Sequence, residues 1–543
     1  MLMSQHTEPW WKSAVIYQIY PRSYMDSNGD GFGDLPGIIS KLDYLAELGI
    51  DAVWLSPVFR SPQDDNGYDI SDYRDIDPMF GTLADMDRLI AEAKKRGIRI
   101  ILDLVLNHSS DEHRWFREAK RSRNSPYHNY YIWRDGEPGS PPDDTRAAFG
   151  GSAWEWVPEV EQFYYHQFSV KQPDLNWDNP ALREELYDMI RWWADRGVGG
   201  FRLDVVDHLG KDPDQGIRVA GPRLHERVKE MSLNAFHGRD LVTVGEAWSA
   251  TPDSARLYSN PDGSELSMVF QFEHIKLDQK PGGTKWDLRP LPFLELKEVL
   301  SRWQKELKDR GWNSLFWENH DLPRIVSRWG DDRQYREVSA KMLAILLFGF
   351  QGTAYIYQGQ ELGMANPPYE LTDYRDIEIL NGIRELRAKG LSDAGILRIM
   401  RARGRDNARS PMQWNREPNA GFTAGTPWLP VNPDYLQINA EDERQDANSV
   451  WACYRQLVSL RKSLTILRDG DYRLLLPDHE HIFAYERSSG GQKLLVVCNF
   501  HGETVRNPLR AREEGMRLLI GNYALDGGAY LRPYEARMWL SHV

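Results

Sequence analysis

Along the chain, short runs of β-branched and aromatic residues give way to polar loops and then to apolar residues at helical spacing, the order that joins parallel strands through helices. Eight runs, at 15–20, 52–55, 98–105, 200–205, 241–244, 268–272, 314–317 and 353–357, predict eight strands. Eight is the number that closes into a (β/α)₈ TIM barrel of the α/β class. Segments 37–48 and 83–96 carry apolar side chains on one helical face, as helices on the outside of a barrel require.

One interval breaks the rhythm. Residues 109–173 are rich in Pro, Gly, Asp, Tyr and Trp, and they predict an inserted subdomain after the third strand, overhanging the barrel mouth. Past a helix near 450–461 the pattern changes to short alternating runs at 472–476, 481–485 and 493–499, the mark of a C-terminal antiparallel β-sandwich domain. The expected organisation is a barrel from 1–108 and 174–464, an insertion at 109–173 and a β domain at 465–543.

Composition narrows the class. A chain of 543 residues with 41% hydrophobic content has material for a large core and satellites. No run approaches the ~20 apolar residues that span a bilayer. The opening MLMSQHTEPWWK shows no basic cluster followed by an apolar run, so cytoplasmic residence is expected. Cys453 and Cys498 are too few for a disulfide framework and are expected to be reduced core thiols. A net charge of −13 disfavours nucleic acid and anionic membranes and suits a neutral ligand, and a monomer is expected. The 20 Trp and 25 Tyr add many flat faces, on which sugar rings stack.

In such a barrel the reactive groups gather at the carboxyl ends of the strands. Those ends carry DLVLNH at 103–108, GFRLDV at 200–205, TVGEAW at 243–248 and ENHD at 318–321. Arg202 stands two residues before Asp204, on the same side of its strand, where charge pairing is expected to keep that carboxylate ionised.

In order and spacing these four motifs resemble those of the α-amylase superfamily, glycoside hydrolase family thirteen, and the resemblance spans its three-domain layout. It implies that Asp204 is a nucleophile, Glu246 a general acid/base, and Asp321 the group that grips the ring hydroxyls and favours an oxocarbenium-like transition state. Cleaving an acetal with retention needs the first two about 5 Å apart, and Glu246 protonated when substrate binds, with a raised pKa. His108 and His320 would donate hydrogen bonds to sugar hydroxyls, and Asp103 would organise Arg202 or a neighbouring strand.

Within the family, SPQDDNGYDISDY at 61–73 resembles exo-acting α-glucosidases, with Tyr68 as stacking platform and Asp65 on the outermost hydroxyls of a terminal glucose. Asp65 then needs a cation, and Arg405 or Arg409 in GRDNARSPMQW are the candidates. QPDLNW at 172–177 resembles the oligo-1,6-glucosidase group, and Val205 after the nucleophile matches members that accept α-1,6 links. The stretch from Thr243 resembles dextran glucosidases, also called glucan 1,6-α-glucosidases, and implies Trp248 and Lys280 at the leaving-group sites. Phe149, Phe168, Gln172 and Arg202 complete the implied substrate contacts. Ala247 and Glu318 depart from the family's commoner Thr and Asn.

The expected function is release of glucose from isomaltooligosaccharide or dextran ends through a covalent glucosyl-enzyme. Trehalose-6-phosphate hydrolysis, α-1,4-glucosidase action and sucrose isomerisation or glucosyl transfer are alternatives. A catalytically dead binding subunit is the alternative of a different class, disfavoured because all three acids are present.

Finally, Asp26, Asn28, Asp30, Phe32 and Asp34 place oxygen donors at every second position with glycines between, the pattern that wraps a hard cation. Calcium is the expected ion, with magnesium as a substitute, in a structural role. The loop lacks the bidentate Glu that closes an EF-hand.

Overall fold

The computed structural model describes residues 8–525 and 527–541. Eight parallel strands form the central sheet: β1 (Val15–Ile19), β2 (Ala52–Leu55), β3 (Arg99–Leu104), β4 (Gly200–Leu203), β5 (Val242–Ala247), β6 (Met268–Gln271), β7 (Ser314–Leu315) and β8 (Thr353–Tyr357). Their order is β6-β5-β4-β3-β2-β1-β8-β7, and a parallel bridge between Val269 and Asn313 closes the ring. The TIM barrel expected from the sequence is therefore present, with each strand inside or within three residues of its expected run. β7 is the shortest, two residues long.

Register does the positioning. Asp103 on β3 lies opposite Arg202 on β4, and Arg202 lies opposite Val244 on β5. The acids on β3, β4 and β5 thus rise at neighbouring places on one rim. Gly245 on β5 leaves room for side chains packed beside the strand: a Cβ there would lie 2.6 Å from Val206 Cγ1 and 2.9 Å from Leu266 Cδ1. Gly at this position is required by packing, not by a turn.

Between β3 and β4 the insertion builds a three-stranded antiparallel sheet from Trp133–Asp135, Gln162–Tyr165 and Trp154–Val157. Its ends are tied to the barrel by bridges from His108 to Asp174 and from Tyr131 to Leu175. Its core is aromatic, with Trp154, Phe163 and Tyr165 packed around Ile132.

The C-terminal region forms a five-stranded antiparallel sheet of β9 (Asp471–Leu475), β10 (Ile482–Ser489), β11 (Gln492–Asn499), β12 (Met516–Gly521) and β13 (Ala536–Ser541), in the order β9-β10-β11-β13-β12. A second, two-stranded sheet pairs Val505–Arg506 with Tyr530–Leu531. Helix Arg336–Phe348 reads apolar on every face from Ser339 onward, and it is buried all round because it lies between the barrel and this sheet. Cys453 and Cys498 are buried free thiols, as expected. Among the described residues no helix is long and apolar enough to cross a membrane.

Three cations fasten the junction. Arg461 donates to the Phe348 and Phe350 carbonyls at 2.8 and 3.0 Å, and Arg487 to those of Gly470 and Leu467. Lys297, on barrel helix Phe293–Glu306, donates to Leu476, His479 and Ile482 carbonyls at 2.6, 2.9 and 3.0 Å. Burial lowers the Lys297 pKa to about 8 against the opposing pull of Asp478, and the hydrogen bonds that hold the ammonium go to carbonyls. Replacing Lys297 with Met strands three acceptors, each costing ~1–3 kcal/mol when left unpaired. Calorimetry should show a lower Tm for Lys297→Met with kcat/KM unchanged at 25 °C; an unchanged Tm would show that water replaces the ammonium.

Candidate active site

One buried guanidinium organises the rim. Arg202, 1% exposed, donates from Nη1 to Asp103 Oδ1 and to Asp204 Oδ1, both at 2.8 Å, and from Nη2 to Glu246 Oε2. Asp103 also accepts from Trp54 Nε1 and from the Tyr68 hydroxyl, each at 3.1 Å, so it organises the site as expected. The next residue after the nucleophile candidate is strained: Val205 has φ 33° and ψ 51°, a left-handed conformation that is costly for a β-branched side chain. In that conformation its amide donates to Glu246 Oε2 at 3.2 Å, while Trp248 Nε1 donates to Oε1 at 2.9 Å.

Electrostatics correct one expectation. Burial pushes the Asp204 carboxyl well above the usual range; Arg202 pulls it down, but the neighbouring Glu246 and Asp103 carboxyls push it up. The reason is charge count. One guanidinium is shared among three acids, so its pull on Asp204 does not offset burial. Burial likewise raises Asp103 to about 6 against the pull of Arg202.

A second knot of charge lies across the cavity. Asp321 Oδ1 accepts from Arg409 Nη2 at 2.9 Å and Arg405 Nη1 at 3.3 Å, and its Oδ2 lies 3.3 Å from His320 Nε2. Burial works against ionisation of Asp321, yet His320, Arg405, Arg409 and Arg202 outweigh it and hold the carboxyl below the usual range. Arg405 Nη2 reaches Asp65 Oδ1 at 3.1 Å, so Arg405 is the cation for Asp65, whereas Arg409 serves Asp321. Burial still lifts Asp65 to about 7. The loop that carries Asp65 and Tyr68 follows β2 and is wound around buried Asp69, which accepts from the Asp64 and Asp65 amides at 2.9 and 3.0 Å.

Tyr68 stacks on His320 with planes 8° apart, and its hydroxyl lies 2.6 Å from His320 Nε2. Burial lowers His320 to about 3 and His108 to about 4, so both rings are neutral near pH 7.

The cavity between the knots has a volume of ≈270 Å³, at the small end for ligand pockets. Of the residues expected from sequence, Asp65, Tyr68, His108, Phe149, Phe168, Asp204, Val205, Glu246, Trp248, Asp321 and Arg405 line it. The insertion supplies Phe149 and Phe168, so it does overhang the mouth. Gln172, Arg202, His320 and Arg409 stand behind and bond to the liners.

Lys280 is not brought to the cavity. It is exposed, in a turn where its amide bonds to the Asp287 carbonyl. Lys285, five residues on, lines the cavity instead and is ion-paired with Glu378. Sequence reading missed Lys285, Glu378 and Asp376. Asp376 caps helix Ile377–Ala388, is fully buried, and accepts from Arg405 Nη2 at 2.6 Å and Arg409 Nη1 at 2.8 Å. A fully buried acid needs a cation, but nothing in the local pattern DYRDIEIL names which one.

The Gly-rich loop after β1 closes on its own amides. Asp26 accepts from the Asn28, Gly29 and Gly31 amides, Asn28 from that of Asp30, and Asp30 from that of Phe32. Asp34 accepts from Ser27 and Gly37. The donor set is all oxygen, which suits a hard cation, but among the described residues no three acidic, His or Cys side chains are gathered as metal ligands.

A barrel whose strand ends gather carboxylates at one cavity, Asp204, Glu246 and Asp321 among them, is the architecture of a class of protein, the glycoside hydrolases. Comparison with known proteins agrees. The chain matches the alpha-amylase catalytic domain over residues 18–470 and the alpha-amylase C-terminal all-beta domain over residues 475–517. It is 50% identical to an oligo-1,6-glucosidase of Halalkalibacterium halodurans, covering 98% of this chain and 99% of that one. It is 55% identical to a glucan 1,6-alpha-glucosidase of Streptococcus pneumoniae, covering 91% and 92%. Among solved structures it superposes on the trehalose-6-phosphate hydrolase of Bacillus licheniformis with a TM-score of 0.93 at 47% identity, covering 98% and 100%. The chain belongs to the alpha-amylase family, glycoside hydrolase family thirteen, and is a hydrolase of the α-glucosidase kind.

Asp376 offers a test of the second knot. Burial works to raise its carboxyl, but Arg405 and Arg409 prevail and hold it at about 2, below its unfolded value of ~3.9. Its stabilisation is therefore complete above pH 4 and is lost as pH falls through 2. Asp376→Asn should lower kcat/KM at least tenfold although the side chain touches no substrate, with a Tm deficit constant from pH 5 to 8. A variant with wild-type kinetics would mean that Arg405 and Arg409 hold their places without it.

Proposed function

We propose that this enzyme removes single glucose units from the non-reducing ends of α-1,6-linked isomaltooligosaccharides or dextran, with retention of configuration. The observation that carries the retaining mechanism is that one guanidinium holds both acids, Arg202 donating from Nη1 to Asp204 and from Nη2 to Glu246. An inverting enzyme needs its two carboxyl groups ~6.5–9.5 Å apart to admit a water; a retaining one needs them closer. In this reading Asp204 attacks the anomeric carbon while Glu246 protonates the departing oxygen. Asp204 becomes esterified, and Glu246, now a carboxylate, takes a proton from the water that releases glucose.

Exo action follows from closure. The Arg405–Asp65 pair and the Tyr68–His320 stack wall off one end of a small cavity, so a chain enters by its terminus only. Preference for α-1,6 links is supported by Val205 in the cavity wall and by the similarity to the oligo-1,6- and glucan 1,6-glucosidase relatives.

Trehalose-6-phosphate is the rival substrate, since a relative of that activity superposes well. A phosphate needs free positive charge at the leaving-group side. Here the cavity-lining cations are engaged, Lys285 by Glu378 and Arg405 by Asp65, Asp321 and Asp376. Initial rates on isomaltotriose, maltose, sucrose and trehalose-6-phosphate, with NMR of the first glucose released, decide between them. Fastest turnover of isomaltotriose with α-glucose as first product is expected; trehalose-6-phosphate as best substrate would overturn the reading. Val205→Thr should move selectivity from α-1,6 toward α-1,4 links by about tenfold, the scale of a single pocket contact.

The Asp26–Asp34 loop is proposed as a structural calcium site. Its side-chain oxygens, with the Phe32 carbonyl, supply ligands of the right hardness, and a cation would compete with the loop amides that now occupy them. Metal analysis of the purified protein should find one equivalent of calcium or magnesium, and EDTA should lower the Tm. Metal-free protein of undiminished Tm would remove the site.

A further inference from the structure

The two oxygens of Glu246 are held differently. Oε2 accepts from Arg202 Nη2 and from the Val205 amide at 3.2 Å, whereas Oε1 accepts from Trp248 Nε1 at 2.9 Å. Two donors occupy Oε2, so Oε1 is the oxygen left to serve a leaving group in the cavity that Glu246 and Trp248 both line. The indole N–H sets where that oxygen points.

The place of the indole depends in turn on three contacts outside the cavity. Its ring lies flat on Phe272, with centroids 3.8 Å apart and planes 10° apart. Its carbonyl accepts from Lys276 Nζ at 2.8 Å, and the next residue, Ser249, donates from its amide at 2.8 Å and from its hydroxyl at 2.6 Å to Asp207 Oδ2. Lys276 is exposed, so its bond competes with water, whereas Asp207 is fully buried and its bonds do not. Asp207 belongs to the turn Val206–Gly210 that follows the nucleophile candidate Asp204. Its carboxyl therefore bolts the turn behind Asp204 to the turn behind Glu246.

We propose that Asp207 is a positioning residue: by holding the Ser249 amide and hydroxyl it fixes the Trp248 turn, and through the indole N–H it aims the Glu246 oxygen that protonates the leaving group. The inference rests on the proposed reading of Glu246 as general acid. Charge is not what the bolt uses. A single oxygen takes both Ser249 bonds, Oδ1 makes no hydrogen bond among the described residues, and burial raises the carboxyl to about 6 although the Ser249 bonds pull it down. An asparagine carbonyl can accept the same two bonds.

The test compares leaving groups. Nitrophenolate departs with little help from an acid, whereas a sugar alkoxide needs the proton. Asp207→Ala should lower kcat/KM about tenfold on isomaltotriose but by roughly twofold or less on 4-nitrophenyl α-glucoside, and Asp207→Asn should restore most of the loss. The ratio of the two losses does not depend on how much of the variant folds. In a Trp248→Phe background Asp207→Ala should cost less than about twofold on isomaltotriose, because the indole N–H through which it acts is gone. Equal losses on the two substrates, or a full loss in the Trp248→Phe background, would overturn the proposal. Glu246→Gln checks the underlying reading separately: it should lose far more on isomaltotriose than on the nitrophenyl glucoside, and equal losses there would remove Glu246 as the acid.

Discussion

A single buried cation, Arg202, bridges three carboxylates from three adjacent strands, and the rest of the site is arranged around that bridge. A guanidinium with almost no exposure persists only if paired, and its planar fork suits several carboxylate oxygens at once. The barrel register brings the acids to it, and Gly245 leaves room for the Val206 and Leu266 side chains packed beside β5. The strained Val205 backbone, costing about 1–3 kcal/mol, spends stability to aim one amide at Glu246. Three acids on one cation leave a surplus of negative charge, and burial with the neighbouring carboxyls raises the Asp204 carboxyl.

The second knot works in the opposite sense. Asp321 faces Arg405 and Arg409 as well as His320, and it stays ionised despite burial. A carboxylate that cannot be protonated suits a group that opposes developing positive charge on the sugar ring. A raised carboxyl on one wall, Asp204, and a lowered one on the other, Asp321, thus go with how many cations each wall contains.

Much of this was legible in the sequence, for identifiable reasons. Strands such as Ala52–Leu55 and Thr353–Tyr357 stand where their apolar runs stand, because a strand buried on both faces leaves a continuous signal. Motif-bearing residues such as Asp204 and Asp321 sit at strand ends, where the barrel must place them, and the insertion does bring Phe149 and Phe168 to the mouth. What was not legible depends on pairings distant in the chain. Asp376 is recognisable only once Arg405 and Arg409 are seen beside it. Lys285 rather than Lys280 reaches the cavity because of the path of one Gly-containing turn. The raised Asp204 carboxyl is not legible from Arg202 alone, since Arg202 is shared by Asp103 and Glu246 as well.

The central claim is that Asp204 is the atom-bearing partner of a covalent step, held beside Glu246 by Arg202. Incubation with a 2-deoxy-2-fluoroglucosyl donor, which forms the ester but slows its hydrolysis, followed by proteolysis and mass spectrometry, addresses this directly. The account predicts a fluoroglucosyl adduct on Asp204 alone. An adduct on Glu246, or full activity with none formed, would contradict it.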